Sequence, residues 1–280
     1  MKKVMVKHLK YRYPGTEKLA LDDVSFEVEE GELIGIVGRN LSGKSTLAQA
    51  IVGLVPHFYR GAYGGKVIVD GIEVLHSTVS DISRKAGIVF QNPFTQVTGS
   101  KLTVYEEVAF GLENLGVPRS EMMERIDEAL TLLGIYDFRH ANPFDLSGGQ
   151  MQRMAIAGII AMRPEVIILD EPTSQLDPQG TEEVFQAVQR LSREGMTVLL
   201  IEHKLEKVAR YADKVLWLDE GKVVAYDTPA KVFSRDDLEE HGLAAPIYTQ
   251  ICKALKRKSP DGETYPVTLE GAYEVLKRWN

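Results

Sequence analysis

The sequence predicts an α/β fold in which a mostly parallel sheet carries helices on both faces. Short apolar segments typical of strands recur along the 280 residues, as in "ELIGIV", "AGIVF", "EVIILD" and "MTVLLI". Segments with helical spacing separate these strands, and a glycine-rich stretch directly follows the first of them. Because such sheets bind ligands at the carboxyl ends of their strands, we expect the functional site at that edge.

The N-terminal part predicts additional strands that pair in an antiparallel subdomain. The segments "KVMVKHLKYRY" and "LDDVSFEVEEGE" carry alternating apolar residues and end in turn residues. Further on, "KVIVDGIEV" is typical of two strands joined by an Asp-Gly turn. Between them, "STLAQAIVGLV" has helical spacing and carries Leu47, Ile51 and Leu54 on one face.

The middle of the chain, about residues 97–162, predicts a mostly helical subdomain inserted between strands. Its segment "SEMMERIDEALTLLGI" has an apolar stripe at helical spacing, formed by Met122, Ile126, Ala129, Leu130 and Leu133. Later, "TEEVFQAVQRLSREG" predicts an amphipathic helix that ends at Gly195. The segment "KVLWLDEGKVVAYD" predicts two strands joined at Glu220 and Gly221.

The chain divides into a main domain, residues 1–235, and a small C-terminal extension, residues 236–280. The extension contains "APIYTQICKALKRK", a polar turn "SPDGET", and "PVTLEGAYEVLKRW". Its first helical segment has an apolar stripe formed by Ile247, Ile251 and Leu255.

The composition argues against several functions. A formal net charge of −7 disfavours a nucleic-acid-binding surface as the main function. The single cysteine, Cys252, permits neither a disulfide framework nor a cysteine zinc site within one chain, which fits a reducing compartment. No window offers about 18 uninterrupted apolar residues, so we expect any membrane role to come through a partner.

The stretch "GRNLSGKS", residues 38–45, matches the phosphate-binding pattern G-x-x-x-x-G-K-[ST]. It follows a predicted strand and opens a predicted helix, which is the context that supports such a match. Its backbone N–H groups and the helix N-terminus would bind phosphate. Lys44 would contact the β- and γ-phosphates, the Ser45 hydroxyl would bind Mg²⁺, and Thr46 could donate to the α-phosphate.

The segment "VIILDE", residues 166–171, predicts a buried strand that ends in two carboxylates. Two acids at this position cost desolvation energy unless a cation or a water network meets them. We expect Asp170 to hold the Mg²⁺ shell and Glu171 to orient and activate an attacking water.

The segment "LSGGQMQR", residues 146–153, has a serine and two glycines at a predicted helix start, which makes a second anion-binding site. One ATP does not need two such sites in one chain. The economical explanation is that this segment contacts a nucleotide held by another subunit.

With these motifs in this order, the chain resembles the ATP-binding-cassette (ABC) ATPases, a family of phosphate-loop NTPases. The element "LSGGQ" is similar to the family's signature motif, and its order between the phosphate loop and "LDEPTS" also fits. Gln91 in "VFQNP" matches the Q-loop glutamine, Asp177 in "SQLD" the D-loop, and His203 in "LLIEHKLE" the switch histidine. The resemblance covers roughly residues 1–230.

The resemblance implies an ATP and Mg²⁺ site. Tyr13 in "YRYPG" matches the aromatic residue that stacks on adenine, and Tyr11 is the competing candidate. The loop residues implied to contact ATP are Gly38, Arg39, Asn40, Leu41, Ser42, Gly43, Lys44, Ser45 and Thr46. The implied metal-binding residues are Ser45, Gln91 and Asp170, and the implied catalytic residues are Glu171, His203, Gln91 and Lys44.

The resemblance also implies a head-to-tail dimer that encloses two ATP molecules. Closure would bring the γ-phosphate under His203, while Gln91 would link the site to a transmembrane partner. An isolated chain should therefore hydrolyse ATP slowly. The residues implied to complete the facing subunit's site are Ser147, Gly148, Gly149, Gln150 and Asp177.

Within the family, the stretch after Gln91 and the C-terminal extension resemble those of the energy-coupling-factor importer ATPases. This implies a second cassette, identical or paralogous, beneath a transmembrane scaffold protein at the cytoplasmic face of the cell membrane. A separate membrane protein would capture a vitamin or a metal ion. Two interpretations of the extension stay open: it stabilises the dimer, or its stripe packs against its own cassette.

A different class of function is a soluble ABC ATPase that acts on nucleic acid or ribosomes. That function predicts basic stripes and either tandem cassettes or a long helical insertion, and the sequence has none of these. A third class, such as a phosphate-loop kinase, is disfavoured by "LSGGQ" together with His203.

Leu41 departs from the family pattern, which usually has glycine at this position. Glycine is favoured where a loop needs positive φ, and a leucine in the left-handed region costs roughly 1–2 kcal/mol. We expect local strain or a slightly altered loop rather than loss of ATP binding. The side chain should point away from the phosphates, toward solvent or the facing cassette.

Overall fold

The computed structural model describes residues 1–277, which contain ten strands and eleven helices longer than three residues. The strands are β1 (Lys2–Arg12), β2 (Leu21–Glu29), β3 (Leu33–Val37), β4 (Ala62–Val69), β5 (Ile72–Glu73), β6 (Ala86–Val89), β7 (Val166–Asp170), β8 (Thr197–Ile201), β9 (Lys214–Asp219) and β10 (Lys222–Asp227). The helices are α1 (Lys44–Ile51), α2 (Leu54–His57), α3 (Val79–Ser83), α4 (Val104–Leu115), α5 (Arg119–Leu132), α6 (Gly148–Ala161), α7 (Pro178–Arg193), α8 (Leu205–Tyr211), α9 (Pro229–Phe233), α10 (Ile247–Ala254) and α11 (Leu269–Lys277).

The larger sheet has the strand order β10-β9-β3-β8-β7-β6. Strand β10 pairs antiparallel with β9, and every other neighbouring pair is parallel. All residues of β3, β7 and β8 are buried, as expected for apolar strands covered on both faces. The predicted α/β fold with a mixed central sheet is therefore confirmed.

The smaller sheet is antiparallel, with the order β2-β1-β4-β5. The predicted Asp-Gly hairpin is β4–β5, in which Val69 pairs with Ile72 across the turn. Apolar residues of this sheet share one core with β3 and α1. A buried ion pair, 2.9 Å between Lys3 Nζ and Asp70 Oδ1, adds to this contact, because the same Nζ lies 2.7 Å from Glu165 beside the larger sheet.

Helices α4, α5 and α6 pack on one another and on the other face of the larger sheet, together with α7. Of the predicted stripe on α5 and just after it, Met122 is half-buried and the remaining residues are buried, namely Ile126, Ala129, Leu130 and Leu133. Helix α7 begins earlier than the predicted segment, at Pro178, because Asp177 caps it by accepting a hydrogen bond from the Gly180 N–H.

The first helix ends earlier than its spacing suggests. Helix α1 stops at Ile51, and Gly53 has a φ of 77°, which ends the helical path before Leu54. Leu54 begins the separate helix α2 and is only partly buried, whereas Leu47 and Ile51 are buried in the core. The predicted face is thus divided between two helices.

The extension begins by packing on the larger sheet, where Leu238 and Leu243 are buried beside Trp217. Helix α10 then buries Thr249 and Cys252, and the Thr249 hydroxyl donates to the Pro266 carbonyl at 2.9 Å.

The predicted stripe lies on the opposite, exposed face of α10, which consists of Ile247, Ile251 and Leu255. The interpretation that this stripe packs against its own chain is therefore wrong. Residues 278–280 of the predicted extension lie outside the described residues.

Within residues 1–277, no helix has the length and apolar character needed to cross a membrane.

Candidate functional site

A cleft of about 710 Å³ opens at the carboxyl ends of the strands of the larger sheet. The loops after β3, β6, β7 and β8 all contribute to it, as the parallel strand order requires. Its walls contain Tyr13, Ala20, Asn40, Leu41, Gly43, Lys44, Ser45, Thr46, Gln91, Glu171 and His203. Ten of these residues are predicted site residues, and only Ala20 was not anticipated.

The loop between β3 and α1 wraps tightly around the amino group of Lys44. The Lys44 Nζ donates to the carbonyl of Gly38 at 2.9 Å and to that of Arg39 at 2.8 Å. Gly43 has a φ of 104°, and a Cβ there would lie 2.6 Å from the Ala20 carbonyl oxygen, so this position requires glycine. Burial lowers the pKa of Lys44, while the nearby carboxylates of Glu171 and Asp170 oppose this shift.

The two acids at the end of β7 have different surroundings. Asp170 is buried, and burial raises its pKa, against which the hydrogen bond from Ser45 acts. Glu171 follows with a φ of 49°, which turns the chain away from the strand. Its N–H donates to the Ile201 carbonyl at 2.9 Å, so its backbone stays fixed to the neighbouring strand β8.

The carboxylate of Glu171 is held from both sides. The His203 Nε2 lies 2.9 Å from Glu171 Oε1, and the Gln91 Nε2 donates to Oε2 at 2.6 Å. Gln91, Glu171 and His203 follow β6, β7 and β8, three adjacent strands, so the sheet itself aligns them. An acid, a histidine and an amide therefore meet at one point of the cleft wall.

The cleft has the donor set that a nucleoside triphosphate with a divalent cation requires. The first N–H groups of α1 have no acceptor within the helix, and Lys44 supplies a cationic donor beside them. Ser42 adds a buried hydroxyl without a hydrogen-bond partner among residues 1–277. The Ser45 hydroxyl and the Asp170 carboxylate supply oxygen ligands of the kind that Mg²⁺ prefers.

Of the two tyrosines considered for adenine, only Tyr13 borders the cleft. Its hydroxyl lies 3.1 Å from Thr46 Oγ1 and donates to Gln49 Oε1 at 3.1 Å. Tyr11 is fully buried, packs edge-on against Tyr13, and donates to the Tyr59 carbonyl. Tyr11 therefore has no face free for stacking.

The sequence matches the model of a known protein family. The family model described as "ABC transporter" matches residues 21–174, more than half of the chain. The chain belongs to the ABC transporter family. It is accordingly a nucleotide-binding ABC ATPase, whose hydrolysis of ATP is coupled to transport.

Individual relatives agree with this assignment. The chain is 47% identical over 258 residues to the energy-coupling factor transporter ATP-binding protein EcfA1 of Streptococcus thermophilus, covering 91% of each protein. It is 40% identical over 279 residues to a putative ABC transporter ATP-binding protein of Pyrococcus horikoshii, covering 99% of this chain and 97% of that protein.

Solved structures show the same fold. The structure of cbiO1 from Clostridium perfringens, described as part of the ABC transporter complex cbiONQ, matches with a TM-score of 0.74 at 33% identity, covering 85% of this chain and 93% of that chain. The ATP-binding cassette MJ0796, in a dimeric post-hydrolysis state bound to ADP and Pi, matches with a TM-score of 0.71 at 28% identity, covering 80% of this chain and 98% of that one.

The signature segment of this ABC ATPase lies outside the cleft. Ser147 caps α6 by accepting from the Gln150 N–H at 3.3 Å, and the Gln150 side chain accepts from the Ser147 N–H at 2.9 Å. A Cβ added at Gly149 would lie 3.1 Å from the Leu176 side chain, so the start of α6 packs on the turn before Asp177. None of the predicted signature or D-loop residues belongs to the cleft wall.

Four predicted residues do not line the cleft: Gly38, Ser42 and Asp170 are buried, and Arg39 is exposed. Arg39 turns toward the C-terminal extension, where an added Cβ at Gly242 would be 2.9 Å from its Cδ. The extension thus contacts the phosphate loop directly, and nothing in the sequence pattern of the extension indicates this contact.

The sequence interpretation also missed Glu202, which precedes His203. Its side chain is buried and accepts hydrogen bonds from Thr173 and from two backbone N–H groups. The only signal in the sequence is the pair Glu-His at the end of a strand in "LLIEH".

Proposed function

We propose that this chain is the ATP-binding and hydrolysing subunit of an energy-coupling-factor importer, which powers uptake of a vitamin or a metal ion through partner membrane proteins. The observation that carries the proposal is the Glu171 carboxylate between His203 and Gln91, in the cleft formed around Lys44. The identity to EcfA1 of Streptococcus thermophilus across 91% of the chain supports the subtype.

In this proposal, the chain's own residues bind and orient the nucleotide. Lys44 exchanges its loop carbonyls for the β- and γ-phosphates, and the N–H groups that open α1 bind the same phosphates. Ser45, Asp170 and Gln91 are the residues that would hold Mg²⁺. When bound, Mg²⁺ neutralises charge on the β- and γ-phosphate oxygens. Tyr13 stacks on the adenine.

Glu171 acts as the general base toward the attacking water, because its carboxylate is the acidic group that lines the cleft. His203 keeps this carboxylate oriented and donates toward the γ-phosphate. Gln91 would release Glu171 on nucleotide binding, and its change of partner would link the state of the nucleotide to the position of the Q-loop. The hydrogen bond from Gln91 to Glu171 is the contact that this exchange replaces.

In this proposal, a second cassette completes the nucleotide site from the opposite side. Ser147 and Asp177 are exposed, and the first N–H groups of α6 have no acceptor within the helix. These features support a role opposite the γ-phosphate of a facing subunit, with ATP enclosed by closure of the dimer. The residues proposed for this contact are Ser147, Gly148, Gly149, Gln150 and Asp177.

An apolar surface beside Gln91 supports docking of a transmembrane scaffold protein. Several large side chains stand exposed along and near the Q-loop, namely Phe94, Leu102, Phe110 and Phe144. A small groove of about 130 Å³ lies beside them, and its walls include Val97, Met154 and Ile159. An apolar surface of this kind fits helices of a membrane protein. The chain would then work peripherally at the cytoplasmic face of the membrane.

The proposed domain division is a cassette of residues 1–235, with the helical subdomain at about 97–162, and an extension of residues 236–280. The exposed stripe on α10 supports a role of the extension in pairing with the second cassette. Leu269 and Tyr273 on α11 add two further exposed apolar side chains. A large apolar surface on one small segment is typical of a contact with another protein.

The test is co-purification of the tagged full chain in mild detergent. The proposal predicts recovery of a second ABC ATPase subunit, identical or paralogous, together with integral membrane proteins. Replacing Phe94 and Phe110 with serine should reduce recovery of the membrane proteins and leave the second cassette bound. Co-purification of ribosomes or DNA in place of membrane proteins would overturn the proposal.

A further inference from the structure

We propose that Glu202 is a positioning residue for hydrolysis, which fixes the loop of His203 to the turn between Glu171 and Asp177. The inference rests on the proposed roles of Glu171 and His203. Glu202 does not itself line the cleft, but it contacts the backbone of His203, which does. Its action is exerted through the backbone of the residues that follow it.

Glu202 is a buried acid whose carboxylate oxygens both have donors. The residue is 3% exposed and follows the last residue of β8, Ile201. Its Oε1 accepts a hydrogen bond from the Thr173 hydroxyl. Its Oε2 accepts from the N–H of His203 at 3.0 Å and from the N–H of Lys204 at 3.3 Å. One carboxylate therefore joins two separate loops.

Lys204 makes a second link between the same loops. Its Nζ donates to the Thr173 carbonyl at 3.2 Å and to the Thr181 hydroxyl at 2.8 Å. Thr181 is buried in the first turn of α7. Thr173 is thus held at its hydroxyl by Glu202 and at its carbonyl by Lys204.

The turn that contains Thr173 runs from Glu171 to Asp177 and is closed by its own hydrogen bonds. The Ser174 N–H donates to the Glu171 carbonyl at 3.2 Å, and the Leu176 N–H donates to the Thr173 carbonyl at 3.2 Å. Asp177 ends the turn by capping α7. Thr173 is therefore the point at which the turn and the His203 loop are joined.

The two loops should consequently move together. If the His203 loop shifted alone, the buried carboxylate of Glu202 would lose donors that no water replaces, and an unpaired buried charge is strongly unfavourable. The 2.9 Å approach of His203 to Glu171 thus depends on Glu202. A displacement of Asp177 by the facing cassette would reach His203 along the same connection.

The first test compares steady-state ATP hydrolysis by the full chain in its assembled complex. Glu202→Gln replaces one acceptor oxygen with a donor, and Thr173→Val removes the hydroxyl without changing the side-chain shape. We expect each to lower kcat about tenfold, because misplacing a catalytic group costs on the order of 10- to 100-fold. The KM for ATP should stay within about twofold. Thr173→Ser, which keeps the hydroxyl, should recover the kcat that Thr173→Val loses.

The matched control is Glu194→Gln, an equivalent change at an exposed acid paired with Arg190, and it should leave kcat unchanged. Equal kcat for Glu202→Gln, Thr173→Val and the parent would overturn the proposal. A loss of kcat in Thr173→Val that Thr173→Ser does not recover would also overturn it, because the hydroxyl would then be irrelevant.

A second measurement does not depend on turnover. The imidazole resonances of His203 in the full chain, assigned with a His203→Gln variant, report its position beside Glu171. We expect Glu202→Gln and Thr173→Val to shift these resonances, and Glu194→Gln to leave them in place. Unshifted resonances in both Glu202→Gln and Thr173→Val would overturn the positioning role. Absence of ATP hydrolysis in the parent complex would instead refute the proposed function, and the resonance shifts would still decide the role of Glu202.

Discussion

Leu41 has two unfavourable features, a left-handed backbone conformation and an exposed apolar side chain. Its φ is 65°, a left-handed conformation that costs leucine roughly 1–2 kcal/mol, and the side chain is fully exposed at the rim of the cleft. The expected left-handed geometry and the outward direction are thus observed. Lys44, Ser45 and Thr46 still line the cleft beneath it. The leucine therefore alters the rim and not the phosphate-binding groups.

We therefore expect Leu41→Gly to raise the free energy of unfolding by up to about 1 kcal/mol. The relief of left-handed strain exceeds the extra entropy that glycine gives the unfolded chain, about 0.4–1 kcal/mol. Urea denaturation of the full chain measures this. Leu102→Gly is the matched control, because Leu102 is also exposed but lies outside the positive-φ residues, so this change should destabilise. Equal destabilisation by both changes would contradict the strain account.

The contact between the extension and the phosphate loop suggests a second experiment, on the segment around Gly242. Gly242 has a φ of 64°, and a Cβ there would lie 2.9 Å from Arg39 Cδ. Gly242→Ala should therefore displace Arg39 and weaken ATP binding by about fivefold, at the lower end of couplings between sites. Binding of a fluorescent ATP analogue to the full chain measures the effect.

Gly262 provides the control, since it lies in the same extension with a φ of 71° and has nothing within 4 Å of an added Cβ. Gly262→Ala introduces similar backbone strain and should leave ATP affinity unchanged. If both variants lowered ATP affinity equally, the effect would come from the extension's stability rather than from the Arg39 contact.

Helices α7 and α8 are joined by a carboxylate whose ionisation can be followed. Glu182 on α7 accepts hydrogen bonds from Lys207 and Tyr211, which lower its pKa to about 2. Because this folded value lies below the ordinary value of 4.5, the stabilisation is complete above about pH 4.5 and is lost as the pH falls toward 2. We expect Glu182→Gln to cost about 1 kcal/mol at pH 7, the upper range for a solvent-accessible pair.

Unfolding by urea at pH 7 and at pH 3 tests this, and the difference between parent and variant should be smaller at pH 3. Glu194→Gln changes an exposed acid at the end of α7 and should show little difference at either pH. A difference for Glu182→Gln that stays constant from pH 7 to pH 3 would contradict the assignment.

Strands and turns that depend on a short local sequence pattern could be predicted. The hairpin β4–β5 follows from Asp70 and Gly71, and the buried strands follow from their apolar runs. The stripe on α10 shows the limit, because spacing identifies an apolar face but not its direction. Thr249 faces the core instead, since its hydroxyl finds the Pro266 carbonyl 17 residues away.

The cleft was predictable because its residues follow adjacent parallel strands, so motif order alone brings Gln91, Glu171 and His203 together. The contacts behind the cleft were not predictable in this way. Glu202 reaches Thr173 across 29 residues, and Arg39 meets Gly242 through the path of the extension. Such contacts depend on how loops pack, for which a single sequence contains no periodic signal.

For the complete molecule, the exposed face of α10 should contribute to pairing with the second cassette. Ile251→Glu puts a charge in the middle of this face, so we expect the assembly to weaken by about tenfold or more in dissociation constant, as for a central interface residue. Sedimentation of the ATP-bound assembly measures this. Val79→Glu, at an exposed aliphatic residue on α3, is the control and should leave the assembly unchanged. Equal weakening by both would indicate a general effect of charge.

The most direct test of the account is Glu171→Gln in the full chain. The amide keeps the shape of the side chain but cannot accept the proton of the attacking water, so ATP should bind and remain uncleaved. We predict that turnover falls by on the order of 100-fold or more and that an ATP-bound dimer accumulates, measured together by phosphate release and light scattering after gel filtration. Hydrolysis by Glu171→Gln at the parent rate, with no trapped dimer, would contradict the central claim that Glu171 is the base of this ATPase.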